Sequence, residues 1–186
     1  FYFWGPALNV KKWSKRFKTA VDHLVRREVY ADCTVRSEEN LRAAAETMRR
    51  FQPTIFVAYT QAGVDLARYV EKHHLRNWND MVVVCCAERI EPGDRELLGR
   101  VFGANVFETY GCREVMLIAA ECEHKSGMHV QMENILVELV VRGPDGDRPA
   151  QPGETGEVLI TDLHNYGMPF IRYANGDLAV ASEQGA

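Results

Sequence analysis

The sequence predicts an α/β protein, with a parallel-sheet subdomain over residues 1–121 and a smaller, β-rich subdomain over residues 122–186. Two observations indicate this division. In the first part, short apolar runs suited to buried strands alternate with longer stretches of helical periodicity. In the second part, helical periodicity disappears and glycines separate short β-rich runs. With 186 residues, of which 46% are hydrophobic, the chain can bury one sizeable core or two small ones.

The predicted elements of the first part alternate between helix and strand. Helices are expected at 13–29, 38–50, about 61–74 and about 92–102, the second one capped by the hydroxyl of Ser37. Strands rich in β-branched and aromatic residues are expected at 53–59, 81–87 and 105–110. Because strands joined by helices pair in parallel and present their carboxyl ends at one edge, the residues after Ala87 and after Tyr110 are expected to line one crevice.

Two apolar runs of the second part predict a β-hairpin. Ile135–Val141 and Gly156–Leu163 are rich in residues that favour strands, and the segment between them is rich in glycine, proline and aspartate. Antiparallel pairing of the two runs is therefore expected.

Charge and hydropathy argue against several classes of protein. The 22 Lys and Arg residues against 26 Asp and Glu residues give a net charge of −4, so neither nucleic acid nor an anionic membrane is expected as a partner. The longest apolar stretches fall far short of the roughly 20 residues that a membrane-spanning helix needs. At the start of the chain, aromatic residues precede the basic cluster at 11–18, which is the reverse of a secretory signal. The basic cluster is predicted to be a solvated helix face.

The five cysteines predict neither a disulfide framework nor a zinc ribbon. Their number is odd and no CxxC pair occurs, so a reducing, cytoplasmic location is expected. Cys85 and Cys86 lie in an expected strand with no histidine near them in sequence. Because burial raises the pKa of a thiol, they are predicted to be small core residues and not nucleophiles.

The strongest motif is FETYGCREV at residues 107–115, where an expected strand ends in an aromatic residue and a glycine. It resembles the tyrosine-glycine-x-threonine-glutamate motif of the adenylate-forming superfamily. The resemblance implies that Tyr110, with Gly111, contacts adenine and that Glu114 serves the Mg²⁺ that accompanies ATP. An aromatic face suits a base, and a carboxylate suits a hard cation. Without the resemblance, Tyr110 would cap a core, Gly111 would make a turn and Glu114 would start a helix.

Arg113 stands where the superfamily usually has a threonine that contacts phosphate. The Arg-Glu ending is similar to that of the phenylacetate-coenzyme A ligase and capsule-biosynthesis branch. The resemblance makes Arg113, together with Glu114, a candidate catalytic residue. A guanidinium group can still meet a phosphate through its fork of donors.

Two further regions resemble the same family. CCAERI, at residues 85–90, is similar to a turn of a small residue followed by glutamate, which implies that Ala87 and Glu88 lie beside adenine. GETGEVLITDL and PFIRYANGDLA, which begin at residues 153 and 169, resemble a glycine-glutamate hairpin and a later arginine and glycine-aspartate-leucine segment. The resemblance implies that Asp177 accepts hydrogen bonds from the ribose hydroxyls as a bidentate carboxylate, and that Arg172 also binds the nucleotide. Taken alone, Gly-Asp-Leu indicates only a turn.

The matches follow the family order from about residue 53 to residue 179. They imply a segment of an enzyme that uses ATP and Mg²⁺ to convert a small carboxylic acid to acyl-AMP, and then coenzyme A to form acyl-CoA. No counterpart of the family's phosphate loop or of its C-terminal lysine is found in this sequence, so little turnover is expected from the chain itself. One alternative is a non-catalytic nucleotide-binding or interaction module derived from such an enzyme. The other is an unrelated flavodoxin-like domain, which does not explain the ordered motifs.

Cys122, His124 and His129 carry the kinds of side chain that bind zinc. A fourth ligand is not apparent, since Ala120 stands where some relatives have a further cysteine. A structural arrangement is therefore expected, in which Cys122 and His129 are buried beside a strand and the imidazole bonds to the backbone.

Overall fold

The structure is a computed structural model that describes residues 1–5, 21, 23–144 and 146–182. Most of the helix expected at 13–29, with the basic cluster, lies outside these residues. Residues 21 and 23–26 are helical, and the helix ends before Val29. The helical spacing of the apolar residues at 13–25 predicts that this helix buries one face, with Leu24 and Val25 on it. These two residues are 77% and 76% exposed, so that expectation is wrong for them. Apolar periodicity indicates a face that favours burial, and it does not by itself supply the surface that buries it.

Three further helices follow the expected positions to within two residues. They are α1 (Glu38–Phe51), α2 (Thr60–Lys72) and α3 (Pro92–Phe102). The hydroxyl oxygen of Ser37 caps α1 as expected, because it accepts a hydrogen bond from the backbone N–H of Asn40 over 3.3 Å. None of the helices in the described parts of the chain is long and apolar enough to cross a membrane.

The first sheet has seven strands in the order β2-β1-β3-β4-β5-β6-β7. The strands are β1 (Tyr2–Trp4), β2 (Tyr30–Asp32), β3 (Ile55–Tyr59), β4 (Val82–Cys86), β5 (Val106–Cys112), β6 (Met116–Glu121) and β7 (Met128–Val130). The pairs from β2 to β5 are parallel, whereas β6 and β7 are added in antiparallel fashion.

The second sheet has four antiparallel strands in the order β11-β10-β8-β9. They are β8 (Ile135–Val141), β9 (Arg148–Pro149), β10 (Thr155–Asp162) and β11 (Tyr173–Val180). The expected pairing of the two apolar runs is confirmed, since β8 lies against β10 along its length, with β9 in the connection between them. A mostly parallel sheet with helices, followed by an antiparallel sheet, confirms the predicted α/β class.

The chain divides into two compact units, Phe1–Glu108 (unit 1) and Thr109–Ala186 (unit 2). The division falls inside β5, after its last parallel pairing with β4. The domain boundary expected between residues 121 and 122 stays a prediction.

In unit 1, alternate strand residues and one face of each helix form the core. Phe56, Ala58, Val83 and Cys85 are fully buried because successive side chains of β3 and β4 point to opposite faces of the sheet. The apolar residues of α2 cover one of these faces, as the helical spacing of its valines and leucine predicts.

In unit 2, β5 runs two residues further than expected. The sequence predicts a turn directly after Tyr110, but Gly111 and Cys112 continue the strand and the turn comes at residues 113–115. The physical reason is the partner strand: Gly111 pairs with Leu117 on β6, which extends the ladder beyond the tyrosine. A Cβ atom on Gly111 would lie 2.1 Å from the carbonyl oxygen of Met116, so only glycine allows this approach.

Candidate functional site

Three polar side chains of unit 2 form a closed ring of hydrogen bonds. The hydroxyl of Tyr110, on β5, donates to Oδ2 of Asp177, on β11, over 2.8 Å. The Nδ2 amide of Asn175 donates to the Tyr110 hydroxyl oxygen over 2.7 Å and to Asp177 Oδ2 over 2.7 Å. The backbone N–H of Asp177 donates to Asn175 Oδ1 over 3.1 Å. Two residues that are 67 positions apart in sequence are therefore in direct contact. We call Tyr110, Asn175 and Asp177 the polar cluster.

Irregular strand pairing places the polar cluster. Where β10 pairs with β11, residues 175–177 of β11 stand opposite Val158 alone. Gly176 has a φ of +89° in this bulge, a conformation that other residues rarely adopt. A second irregularity interrupts the pairing of β5 with β6 between Tyr110 and Gly111. Because bulges redirect side chains and are common beside functional sites, both halves of the cluster lie where a site is expected to form.

Tyr110 is a neutral hydrogen-bond donor at physiological pH. Burial raises its pKa to about 12; donation by Asn175 lowers the pKa, and the bond to Asp177 raises it. The ring packs at the edge of a core that includes Ile118 and Ile160. The core therefore holds the ring of Tyr110 on one side, and the two hydrogen bonds hold its hydroxyl. A neutral phenol donates hydrogen bonds and is not a general base.

Asp177 is the exposed member of the polar cluster. In the described part of the chain, both side-chain hydrogen bonds to its carboxylate end on Oδ2. The other oxygen, Oδ1, can therefore accept hydrogen bonds from a ligand. The cluster combines an aromatic ring with an anionic acceptor, which suits a ligand that has a flat ring and hydroxyl groups.

Arg113 and Glu114 are exposed on the turn between β5 and β6. The pKa of Glu114 is lowered by hydrogen bonds from its own backbone N–H and from the thiol of Cys112, and further by the hydroxyl of Tyr173 and the charge of Arg113. Its carboxylate is thus ionised at neutral pH. The alternative in which Glu114 starts a helix is wrong, because a β-turn occupies this position.

Arg172 has a carboxylate partner within unit 2. Its Nε lies 3.1 Å from Oε2 of Glu138, and its backbone N–H donates to the hydroxyl of Thr161 over 3.0 Å. With Arg148 and Asp147 among its neighbours, it lines a cavity of about 180 Å³ that has no member of the polar cluster in its wall. The expected contact of Arg172 with a nucleotide stays a prediction.

In unit 1, the loop after β4 carries Ala87 and Glu88. The φ of Ala87 is +74°, a strained value for a residue other than glycine, and such strain collects at functional turns. The buried hydroxyl of Thr60 donates to the carbonyl oxygen of Glu88 over 2.6 Å. The carboxylate of Glu88 accepts from the backbone N–H of Gln61 over 3.0 Å.

These contacts fix the loop against the start of α2, which has no side-chain cap of its own. Glu88 supplies an acceptor to one of the free amides at this helix N-terminus, where negative charge is favoured. The side chain of Glu88 therefore has a structural role. That Ala87 and Glu88 contact the same nucleotide as the polar cluster stays a prediction.

The cysteine and histidine residues give a mixed result. Cys85 is fully buried and burial raises its pKa to about 12, which confirms it as an unreactive core residue. His129 is exposed on β7, so the expectation that it is buried is wrong, and Cys122 is half-buried. The reason is that β7 is the outermost strand of its sheet. Across the described residues, no group of three or more His, Cys, Asp and Glu side chains could hold a metal ion.

Sequence reasoning missed three residues that contact the candidate site residues: Cys112, Tyr173 and Asn175. For Asn175 a signal was present. Asn-Gly is a typical pair where the backbone turns, and an asparagine there often bonds to the backbone N–H two residues on, as it does to Asp177. Tyr173 gave no such signal, because it lies on β11 and its effect on Glu114 depends on how the strands pair; Cys112 is close to Glu114 in sequence but belongs to no recognisable motif.

The chain is similar to curated enzymes over part of their length. It is 29% identical over 140 residues to a phenylacetate-coenzyme A ligase of Escherichia coli K12, a match that covers 72% of this chain and 32% of that enzyme. It is 31% identical over 87 residues to a phenylacetate-coenzyme A ligase of Thermus thermophilus, covering 45% of this chain and 19% of that enzyme. The matches thus span a third or less of the curated relatives. No family model matches the chain.

Solved structures of ligases share the fold. A 2-hydroxyisobutyryl-CoA ligase in the postadenylation state, in complex with R3-HIB-AMP, superposes with a TM-score of 0.72, at 18% identity, over 96% of this chain and 38% of that one. A benzoate-CoA ligase from Burkholderia xenovorans LB400 gives a TM-score of 0.56 at 15% identity, over 78% of this chain and 32% of that one. The chain is a distant homologue, over part of their length, of phenylacetate-coenzyme A ligases, and it has the fold of adenylate-forming acyl-CoA ligases.

Proposed function

We propose that this chain is a segment of an ATP-dependent acyl-adenylating enzyme that converts a small carboxylic acid to acyl-AMP and then to acyl-CoA. The observation that carries the proposal is the direct contact between Tyr110 and Asp177 over 2.8 Å. These residues hold the positions of an adenine-contacting tyrosine and a ribose-binding aspartate in the resemblance. A fold that brings them together gives one adenosine access to both.

In this proposal the nucleotide lies against unit 2. The ring of Tyr110 supplies a flat surface for adenine, with Gly111 beside it, and Asp177 accepts hydrogen bonds from the ribose. Arg113, on the neighbouring turn, is exposed and can reach a phosphate. Arg172 would add a positive charge, and Ala87 and Glu88 are candidate nucleotide contacts on the motif resemblance alone.

The donor set at Glu114 fits a magnesium ion that is shared with a triphosphate. Mg²⁺ is usually held by one or two carboxylates together with substrate phosphates and water, so a single ionised carboxylate is sufficient protein ligation. The lowered pKa keeps Glu114 ionised, and the side chain is exposed. The ion would offset the charge on the phosphates during transfer of the adenylyl group. For Glu114 to bind it, its hydrogen bonds with Cys112 and Tyr173 must rearrange or share the carboxylate.

The chain is expected to show little turnover by itself. Adenylyl transfer to a carboxylate needs several cationic groups around the phosphates, and the polar cluster and its turn supply only Arg113 and the ion at Glu114. The matched curated enzymes are about three times as long as the matched segment. The second step, attack of the coenzyme A sulfur on the acyl carbon, is proposed for the intact parent from the same relationship.

Acid-dependent exchange of pyrophosphate into ATP tests the proposal on the full-length parent. A panel of aromatic and aliphatic acids should include at least one that gives exchange, because the first step is reversible. Isothermal titration of ATP into the chain itself tests nucleotide binding without turnover. If none of the acids in the panel gives exchange, and the chain itself binds no ATP, the proposed function is refuted.

The second candidate is a non-catalytic nucleotide-binding or interaction module. The hydrogen bonds that already engage Glu114 favour it, because a structural carboxylate needs no metal. ATP binding by the full-length parent without exchange for any acid would support this alternative. Exchange that depends on Mg²⁺ would eliminate it.

A further inference from the structure

We propose that Asn175 is a positioning residue that orients both Tyr110 and Asp177, so that Asp177 meets the ribose through a single oxygen, Oδ1. The inference rests on the nucleotide-binding function proposed above and deepens it. It concerns a residue that the motif resemblance does not assign to the site.

The side-chain amide of Asn175 donates both of its protons and accepts one hydrogen bond inside the polar cluster. Nδ2 has two protons, and it lies 2.7 Å from the Tyr110 hydroxyl oxygen and 2.7 Å from Asp177 Oδ2. Oδ1 accepts the backbone N–H of Asp177 over 3.1 Å. The amide therefore fixes the tyrosine ring, the aspartate side chain and the aspartate backbone together.

This arrangement determines which oxygen of Asp177 faces a ligand. Oδ2 accepts from both Tyr110 and Asn175, which matches the roughly two lone-pair positions of one carboxylate oxygen. If both oxygens of Asp177 accepted hydrogen bonds from the ribose diol, as expected for a bidentate carboxylate, the hydrogen-bonded ring of Tyr110, Asn175 and Asp177 would break. Oδ1 on the exposed side chain is the acceptor that remains for ribose hydroxyls.

The bulge in β11 gives Asn175 this reach. Residues 175–177 stand opposite Val158 alone, and the φ of +89° at Gly176 reverses the backbone between the amide and the carboxylate. In a regular strand, residues two apart lie side by side on one face without bonding to each other's backbone. The bulge therefore allows the bond from the Asp177 N–H to the amide, and this bond makes the ring rigid.

Titration calorimetry on the 186-residue chain with ATP and with 2′-deoxy-ATP tests the inference. In N175A the affinity for ATP should fall about fivefold to tenfold. This is the change expected when misorientation of Asp177 costs the complex about one hydrogen bond. The affinity for 2′-deoxy-ATP should change much less, so the preference for the ribose hydroxyl should shrink. Asn175→Leu, which keeps a similar branched shape but loses both donors and adds no charge, should show the same loss. Asn165→Ala, in a loop of the same unit where the side chain accepts from Met168 N–H, is the matched control.

Tyrosine labelled with ¹³C at Cζ provides a second readout that needs no ligand. The signal of Tyr110 is the one that disappears in Y110F, and its chemical shift should move in N175A and stay in place in Asn165→Ala. An unmoved Tyr110 signal, or an unchanged preference for ATP over 2′-deoxy-ATP in N175A, would overturn the inference. If the wild-type chain binds no ATP, the ribose contact fails for the chain and the Tyr110 signal alone then decides the orienting role. The proposed function is then decided by pyrophosphate exchange in the full-length parent.

Discussion

Replacing Gly111 with alanine should disrupt the hairpin that carries the candidate site. The new Cβ atom would lie 2.1 Å from the carbonyl oxygen of Met116 and 3.0 Å from its carbonyl carbon. Because comfortable contacts begin near 3.2 to 3.4 Å, β5 and β6 would have to separate by about 1 Å, and the obstacle is backbone that cannot rotate away. We expect a loss of about 3 kcal/mol in the free energy of unfolding, the upper end for overpacking.

Thermal unfolding followed by circular dichroism measures this loss. The midpoint of the thermal unfolding of unit 2 should fall by about 10 °C or more, given the size of that unit. Gly167→Ala is the matched control, since an added Cβ there meets nothing within 4 Å and the φ is not positive; it should be close to neutral. A G111A variant as stable as the control would show that β5 and β6 do not approach as closely as described. It would also remove the steric reason for a glycine in the Tyr-Gly motif.

Three further substitutions test the loop of unit 1 and the proposed site. Thr60→Val should cost about 1 to 3 kcal/mol in chemical denaturation, because the carbonyl of Glu88 loses a buried donor at 2.6 Å, whereas Thr60→Ser should retain most of the stability; equal stability of the two variants would contradict this. Asp177→Ala should weaken ATP binding by about 1.5 to 3 kcal/mol, roughly 10- to 150-fold, without unfolding the chain, and an unchanged affinity would remove Asp177 from the site. Glu114→Gln in the full-length parent should lower pyrophosphate exchange about 100-fold at limiting Mg²⁺ because the neutral amide is a poorer ligand; normal exchange there would reject the metal role.

The fold of unit 1 could be predicted from the sequence because each element has a local signal. Ser37 marks the start of α1, and the bond from the Asn40 N–H to its hydroxyl confirms the cap. The apolar strand runs differ from the helices in length and in β-branched content, so their periods are easily separated. The expected bounds of α1 to α3 and of β3 to β5 agree with the structure to within two residues.

The hairpin of β5 and β6 could not be predicted in the same way. Gly111 was interpreted as a turn because glycine usually signals one. Its actual requirement is the close approach of Met116, which depends on the pairing of two strands and not on local conformation. The ring around Asn175 is equally non-local, since it needs β5 and a bulge in β11 to meet. The resemblance did indicate Tyr110 and Asp177 as partners, because they hold positions that share a ligand, and not because any local pattern links them.

The glycines of the two motifs are weaker evidence for a nucleotide site than their neighbours. Gly111 is required by the approach of Met116, and Gly176 by a φ of +89°, so the fold alone demands both. Asp177 differs, because its side chain is exposed and neither a close backbone approach nor a positive φ requires an aspartate at this position. Its other oxygen, Oδ1, receives no side-chain hydrogen bond in the described part of the chain and can accept one from a ligand. Substitutions at Asp177 and at the ring that orients it should therefore separate nucleotide binding from folding.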